Sequence, residues 1–157
     1  TIKGNSFLKS NYVYKKFGLS CFADDSGLFI KALNGDPGVK SARYASDKSD
    51  SDLNIDLVLK NLERETNRDA FFETYICLII NDETHYFKGT IHGRISNERL
   101  GSAGFGYDPI FIPDGYKKSF AQMTLDEKNK ISHRAIAIKK LVNFLNEQWN
   151  DIWNFWL

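Results

Sequence analysis

Cysteine is scarce in this sequence. Cys21 and Cys77 are the only two among 157 residues, each inside an apolar run, Leu-Ser-Cys-Phe-Ala and Tyr-Ile-Cys-Leu-Ile. They have neither metal-type nor paired spacing, and they read as buried thiols of a reducing compartment. Long hydrophobic runs are missing as well. No stretch approaches the ~20 apolar residues of a membrane span, and no charged-then-apolar leader opens the chain. A cytoplasmic protein with no membrane partner is the expectation. Charge of one sign is not in excess, with 21 basic against 20 acidic side chains. That balance provides no broad field for a nucleic-acid polymer, while a small anion bound locally stays compatible with it. Repeats and low-complexity linkers are absent too. What is present is 42% hydrophobic and 26% charged, the proportions of a soluble globular chain, in a length that suits one domain over 1–157 with room for a cleft.

The pattern along the chain is that of a mixed α/β domain. Apolar groups at Leu8, Tyr12, Val13 and Phe17, followed by Gly18, predict an amphipathic helix over 5–17 with a glycine cap. Leu19 to Ala23 and Leu28 to Leu33 read as two strands joined by a turn, Asp24-Asp25-Ser26-Gly27. A helix is expected from about Asp52 to residue 65, with Ile55, Val58, Leu59 and Leu62 facing the sheet. Phe71 to Ile80 and Thr84 to Ile95, separated by Asn81-Asp82-Glu83, predict an antiparallel hairpin. A glycine-rich loop, Gly101 to Gly106, leads to a short strand at Ile110-Phe111-Ile112. Thr124-Leu125-Asp126-Glu127 has the form of a capping box, and a last helix is expected after Ser132. Trp149, Trp153 and Trp156 recur at helical spacing in a tail over 147–157, a pattern more typical of core or dimer packing than of a ligand site.

Three segments carry possible chemistry. Two adjacent carboxylates, Asp24 and Asp25, repel each other unless a cation, hydrogen bonds or a protonation shift offsets the repulsion. A hard divalent metal does so naturally. Mg²⁺ is often held by one or two carboxylates plus substrate phosphates, which leaves the second carboxylate to take a proton from water. The same Asp-Asp-Ser-Gly composition also makes a plain solvated turn. In Gly101-Ser102-Ala103-Gly104-Phe105-Gly106-Tyr107-Asp108-Pro109 the glycines let backbone amides approach a ligand and the aromatics offer a stacking face, although a tight connection would have similar composition. Around Lys128-Asn129-Lys130-Ile131-Ser132-His133-Arg134, Ser132 caps a helix whose first residues can donate hydrogen bonds to anions or carbonyls; ordinary surface residues are the alternative. Together the three describe a site for a metal-bound nucleotide.

In order along the chain, Phe22-Ala23-Asp24-Asp25-Ser26-Gly27-Leu28, Pro37-Gly38-Val39-Lys40-Ser41-Ala42-Arg43-Tyr44, Gly104-Phe105-Gly106-Tyr107-Asp108-Pro109 and Glu127-Lys128-Asn129-Lys130-Ile131-Ser132-His133-Arg134 resemble the inosine triphosphate pyrophosphatase family of house-cleaning enzymes. The likeness runs from about Thr1 to about Leu145. It implies an elongated, two-lobed α/β fold, a mixed twisted sheet flanked by helices with a central cleft, and usually a homodimer. It implies hydrolysis of ITP, dITP or XTP between the α and β phosphates, with Mg²⁺ as cofactor. By matching position Asp25 is the general base and metal-linked carboxylate, Asp24 assists with metal, and Ser26 contacts substrate. Phe105, Gly106, Tyr107 and Asp108 hold the base, and Lys128, His133 and Arg134 complete the pocket, with donors that favour a 6-keto purine over adenine.

The departures from that pattern are specific. The resemblance implies a strand and a Thr/Ser-Gly-Asn-x-x-Lys phosphate loop ahead of Thr1, so a longer parent is expected. Gly4 stands where the family has a metal-binding glutamate, Lys40 where tyrosine is common and Ala103 where glycine is common. Two other functions therefore stay open, a degenerate homologue that holds nucleotides without cleaving them and a pyrophosphatase for other modified nucleotides.

Overall fold

The computed structural model describes the backbone of residues 1–156 and the side chains of residues 1–148. The Trp149, Trp153 and Trp156 stripe lies outside the described side chains.

Helix α1 spans Ile2–Phe17, with Thr1 capping the N–H of Gly4 and Gly18 closing the other end at φ 66°. Its burial corrects the sequence reading. Leu8 and Tyr12 are each 64% exposed, and Phe17 is exposed too, whereas Ile2, Ser6 and Ser10 face the sheet. Small serines let the helix axis lie close to the sheet, and their hydroxyls are satisfied by the helix itself: Ser6 donates to the Lys3 carbonyl and Ser10 to that of Ser6.

A second correction concerns the acidic segment. Strand β1 runs unbroken over Cys21–Ile30, so Asp24 to Gly27 form no turn. Asp24 pairs with Ile76, Asp25 with Tyr75, Ser26 with Thr74 and Gly27 with Glu73 across the antiparallel ladder to β2. β2 (Asp69–Ile80) and β3 (Glu83–Ile95) form the expected hairpin. Its turn narrows to Asn81-Asp82, with φ of 51° and 63°, the two positive values that suit the right-handed twist of a tight hairpin. β4 (Phe111–Pro113) completes the sheet order β1-β2-β3-β4, and every pairing among the described residues is antiparallel.

Helix α1 covers β1 and β2 on one face, and α4 (His133–Trp156) packs on β2 and β3. Helix α2 (Ser51–Asn61) starts at an Asp50 cap and sends Ile55 and Val58 into a core with Leu28, Ile30, Phe72 and Phe111. A second cluster joins Ile76, Leu78 and Phe87 to Ala137 and Leu141 of α4. Both clusters use alternate residues of β2, and Thr74 lies between them. The Ser26–Thr74–Gly89 row across the sheet is therefore the seam between two apolar lobes, and the cleft opens there.

Candidate active site

The cleft has a volume of about 400 Å³ and takes its lining from every layer of the fold: Asp24, Asp25 and Ser26 of β1, Phe105 to Asp108 of the glycine loop, and His133 and Arg134 at the start of α4. All the predicted site residues except Lys128 line it.

Neighbours on a strand point to opposite faces, and the two aspartates do so. Asp25 turns toward α1, where Lys9 Nζ lies 2.5 Å from Oδ1 and the Asn5 amide donates to Oδ2 at 3.1 Å. Lys9 Nζ also donates to the Asp24 carbonyl at 3.0 Å. Asp24 turns toward α4, and its Oδ2 accepts from Arg134 Nε at 3.1 Å and Nη2 at 2.8 Å. Ser26, two residues on, shares that face. Its hydroxyl lies 2.6 Å from Thr74 Oγ1 and accepts from Arg134 Nη2 at 3.4 Å. Each carboxylate has its own counter-cation, which is how two adjacent charges coexist in a strand.

Within the glycine loop, outward and inward residues divide the work. The Phe105 ring is 64% exposed, with Lys128 Nζ 4.6 Å and Arg134 Cζ 5.7 Å from its centroid. Asp108 is buried, and its Oδ2 accepts the Phe105 N–H at 2.8 Å and pairs with Lys128. Lys128, carried by α3 (Leu125–Ile131) beneath its Thr124 capping box, thus braces the loop through Asp108 and lines an adjoining pocket with Phe105, His133 and Arg134. The Tyr107 hydroxyl donates to the Ser41 carbonyl at 2.9 Å, and burial, with the neighbouring Tyr44, pushes its pKa up.

His133 is 7% exposed and stacks on Phe72 at 4.6 Å with a 9° interplanar angle. Burial, then the charges of Arg134 and Lys128, lowers its pKa to about 3. The ring is therefore neutral near pH 7, and its buried Nδ1 has no hydrogen-bond partner among the described residues. An unpaired nitrogen at the cleft wall is a polar group waiting for a ligand atom.

Sequence reasoning missed Asn5, Lys9, Ser41 and Thr74. A signal existed for the first two, since Asn5 and Lys9 stand at i and i+4 on one helix and so share a face. Thr74 is fully buried, and its importance depends on its cross-strand partner.

Among the described residues no three His, Cys, Asp or Glu side chains converge as a metal cage. Gly4, in the first turn of α1, contributes no carboxylate. The oxygen donors that are present suit a hard cation held by few protein ligands and completed by phosphate oxygens, with Asp25 as the carboxylate on one face of β1 and Asp24 on the other.

Comparison with known proteins places this cleft in context. The dITP/XTP pyrophosphatase of Flavobacterium psychrophilum is 51% identical over 144 residues, covering 92% of this chain and 76% of its own length. That of Porphyromonas gingivalis is 49% identical over 146 residues, covering 92% and 75%. The solved Ham1 protein of Staphylococcus aureus superposes with a TM-score of 0.91 at 42% identity, over 94% of this chain and 78% of that one. The match to the Ham1 family model extends over residues 1–144, which include every cleft residue described above, and the chain belongs to the Ham1 family.

Proposed function

We propose that this chain hydrolyses deaminated purine nucleoside triphosphates, ITP, dITP and XTP, to the monophosphate and pyrophosphate. The observation that carries the reading is the polarity of the cleft. Asp25 with Lys9 and Asn5 forms an end suited to phosphate and water, and Phe105 with His133 and Arg134 forms an end suited to a base. The relatives named dITP/XTP pyrophosphatase support it.

In this reading Asp25 accepts the proton of the attacking water, and Lys9 orients its carboxylate while offering a cation to the phosphates. The Phe105 face stacks on the purine. Neutral His133 and the Arg134 guanidinium present donors to a 6-keto oxygen. Adenine's amino group would leave such donors unpaired, the kind of mismatch a polar site rejects strongly. Mg²⁺ is the proposed cofactor, with Asp25 as its carboxylate beside the substrate oxygens and Asp24, held by Arg134 on the opposite face of β1, reaching it only through a change of side-chain direction; when bound it would neutralise phosphate charge. Two free cysteines fit the proposed cytoplasmic setting. A homodimer is proposed on the family resemblance, and exposed Leu8, Tyr12 and Phe17 on α1 are consistent with it.

The test is pyrophosphate release from ITP. Turnover is expected with Mg²⁺ and is expected to disappear with EDTA or in Asp25→Asn; equal release by the variant would sink the assignment. Gly4, together with the lack of a three-carboxylate cluster among the described residues, favours one alternative, a nucleotide-holding homologue without turnover. Calorimetric ITP binding with no pyrophosphate release would establish that instead.

A further inference from the structure

We infer that Gly89, which does not itself line the cleft, is the positioning residue that seats the start of α4 and thereby aims His133 and Arg134 into the site. Gly89 lies on β3 opposite Thr74, and Thr74 lies opposite Ser26. The row ends without a side chain: the Ser26 and Thr74 hydroxyls bond each other, and Gly89 leaves the next position open. The α4 backbone occupies the space left. A Cβ at Gly89 would lie 1.9 Å from the His133 carbonyl oxygen and 2.7 Å from the Ala137 nitrogen. These are backbone atoms of the helix, so no rotamer change relieves the overlap; the helix must lift or tilt.

The residues that move with it are those that close the cleft. His133 is held flat on Phe72, and Arg134 reaches Asp24 and Ser26 from the next position. Apolar packing of Leu141 in the cluster of Ile76, Leu78 and Phe87 fixes α4 further along, so a wedge at Gly89, which meets His133 and Ala137, acts mainly on the start of the helix. Gly93, on the same strand, is a matched control. A Cβ there would lie 2.3 Å from the Ile112 carbonyl oxygen and 2.8 Å from Phe111 Cζ, a severe clash with β4 rather than with the α4 backbone.

The inference rests on the functional reading above for its kinetic arm only, because the His133 ring protons, shifted by the Phe72 ring current, report the seat without substrate. The experiment compares wild type, Gly89→Ala and Gly93→Ala by histidine-ring NMR, with His85→Gln and His92→Gln used for assignment, and by kinetics with ITP and ATP. In Gly89→Ala the His133 signals are expected to move toward unstacked positions. Its kcat/KM for ITP is expected to fall ~10- to 100-fold, the scale of an ångström-sized misplacement, with a smaller ITP-over-ATP ratio. Gly93→Ala, which reaches Phe72 only through Phe111, is expected to move the His133 signals less than Gly89→Ala and to keep the ratio, although it melts earlier. Unmoved His133 signals in folded Gly89→Ala overturn the inference, as do moved signals with wild-type ITP kinetics. If Gly89→Ala is insoluble, Ala137→Val presses on the same seat from the helix side and carries the same expectation. Wild type that releases no pyrophosphate, with His133 displaced in Gly89→Ala, sinks the functional reading and leaves the seat standing.

Discussion

His133 links burial, charge and pH at one position. In the unfolded chain its ring takes a proton near pH 6.5, while the folded ring, buried between Phe72 and two cations, takes one only near pH 3. Over that window the unfolded state binds more protons, so stability rises with pH and is lost as pH falls. A full proton of difference is worth about 1.4 kcal/mol per pH unit. Urea titrations at pH 7 and pH 5 are expected to show wild type losing about 2 kcal/mol more than His133→Gln between the two conditions. Parallel losses in both proteins would mean that the ring protonates in the fold. The same depressed pKa keeps His133 neutral through the physiological range.

Among the elements, α2 shows how a helix far along the chain becomes a wall of the site. Asp50 accepts the Leu53 N–H at 3.0 Å and starts the helix, the apolar side enters the core, and buried Asn54 faces the cleft. The Asn54 amide holds the 3₁₀ segment Gly38–Arg43 and the chain just after it, accepting from the Ala45 N–H at 2.8 Å and donating to the Ala42 carbonyl at 3.1 Å. Removing the cap in Asp50→Ala is expected to cost about 1 kcal/mol, whereas Asp50→Asn, which keeps an acceptor, stays near wild type. Denaturant midpoints would show this, and an equal loss in both variants would point to charge rather than capping. Helix α1 works differently, since Ser6 and Ser10 join Ile2 on its inward face while Leu8, Tyr12 and Phe17 point to solvent.

For the whole molecule, two apolar clusters on one sheet face are separated by the Ser26–Thr74–Gly89 row, and a cleft at the seam follows from that arrangement. No helix among the described residues is long and apolar enough to cross a membrane. The exposed Leu8 and Tyr12 side chains of α1 are costly to leave in water, each worth roughly 1.5–3 kcal/mol if fully buried. Sedimentation is expected to give twice the 18.0 kDa chain mass, and Leu8→Lys with Tyr12→Lys is expected to shift it toward monomer. A wild-type monomer at every concentration would dismiss the dimer.

Local sequence determined those features whose causes are local. Gly18 stops α1 because a left-handed residue ends a helix cheaply. Thr124 and Glu127 form their capping box from adjacent backbone, and the β2–β3 hairpin follows from its alternating strands and polar turn. The order of the motifs along the chain was enough to group Asp24, Asp25, Ser26, the Phe105 loop, His133 and Arg134 as one candidate site. Tertiary structure alone decided the rest. The acidic segment is strand because β2 supplies hydrogen bonds that a turn would have to find locally. The serine side of α1 is buried because small side chains let the helix approach the sheet closely, which side-chain hydropathy does not record. Lys9 reaches Asp25 across a 16-residue separation, Lys128 pairs with Asp108 of the loop, and Gly89 matters only because the α4 backbone lies on it. Each of these depends on which distant surface comes into contact, and that information is not contained in the neighbouring residues.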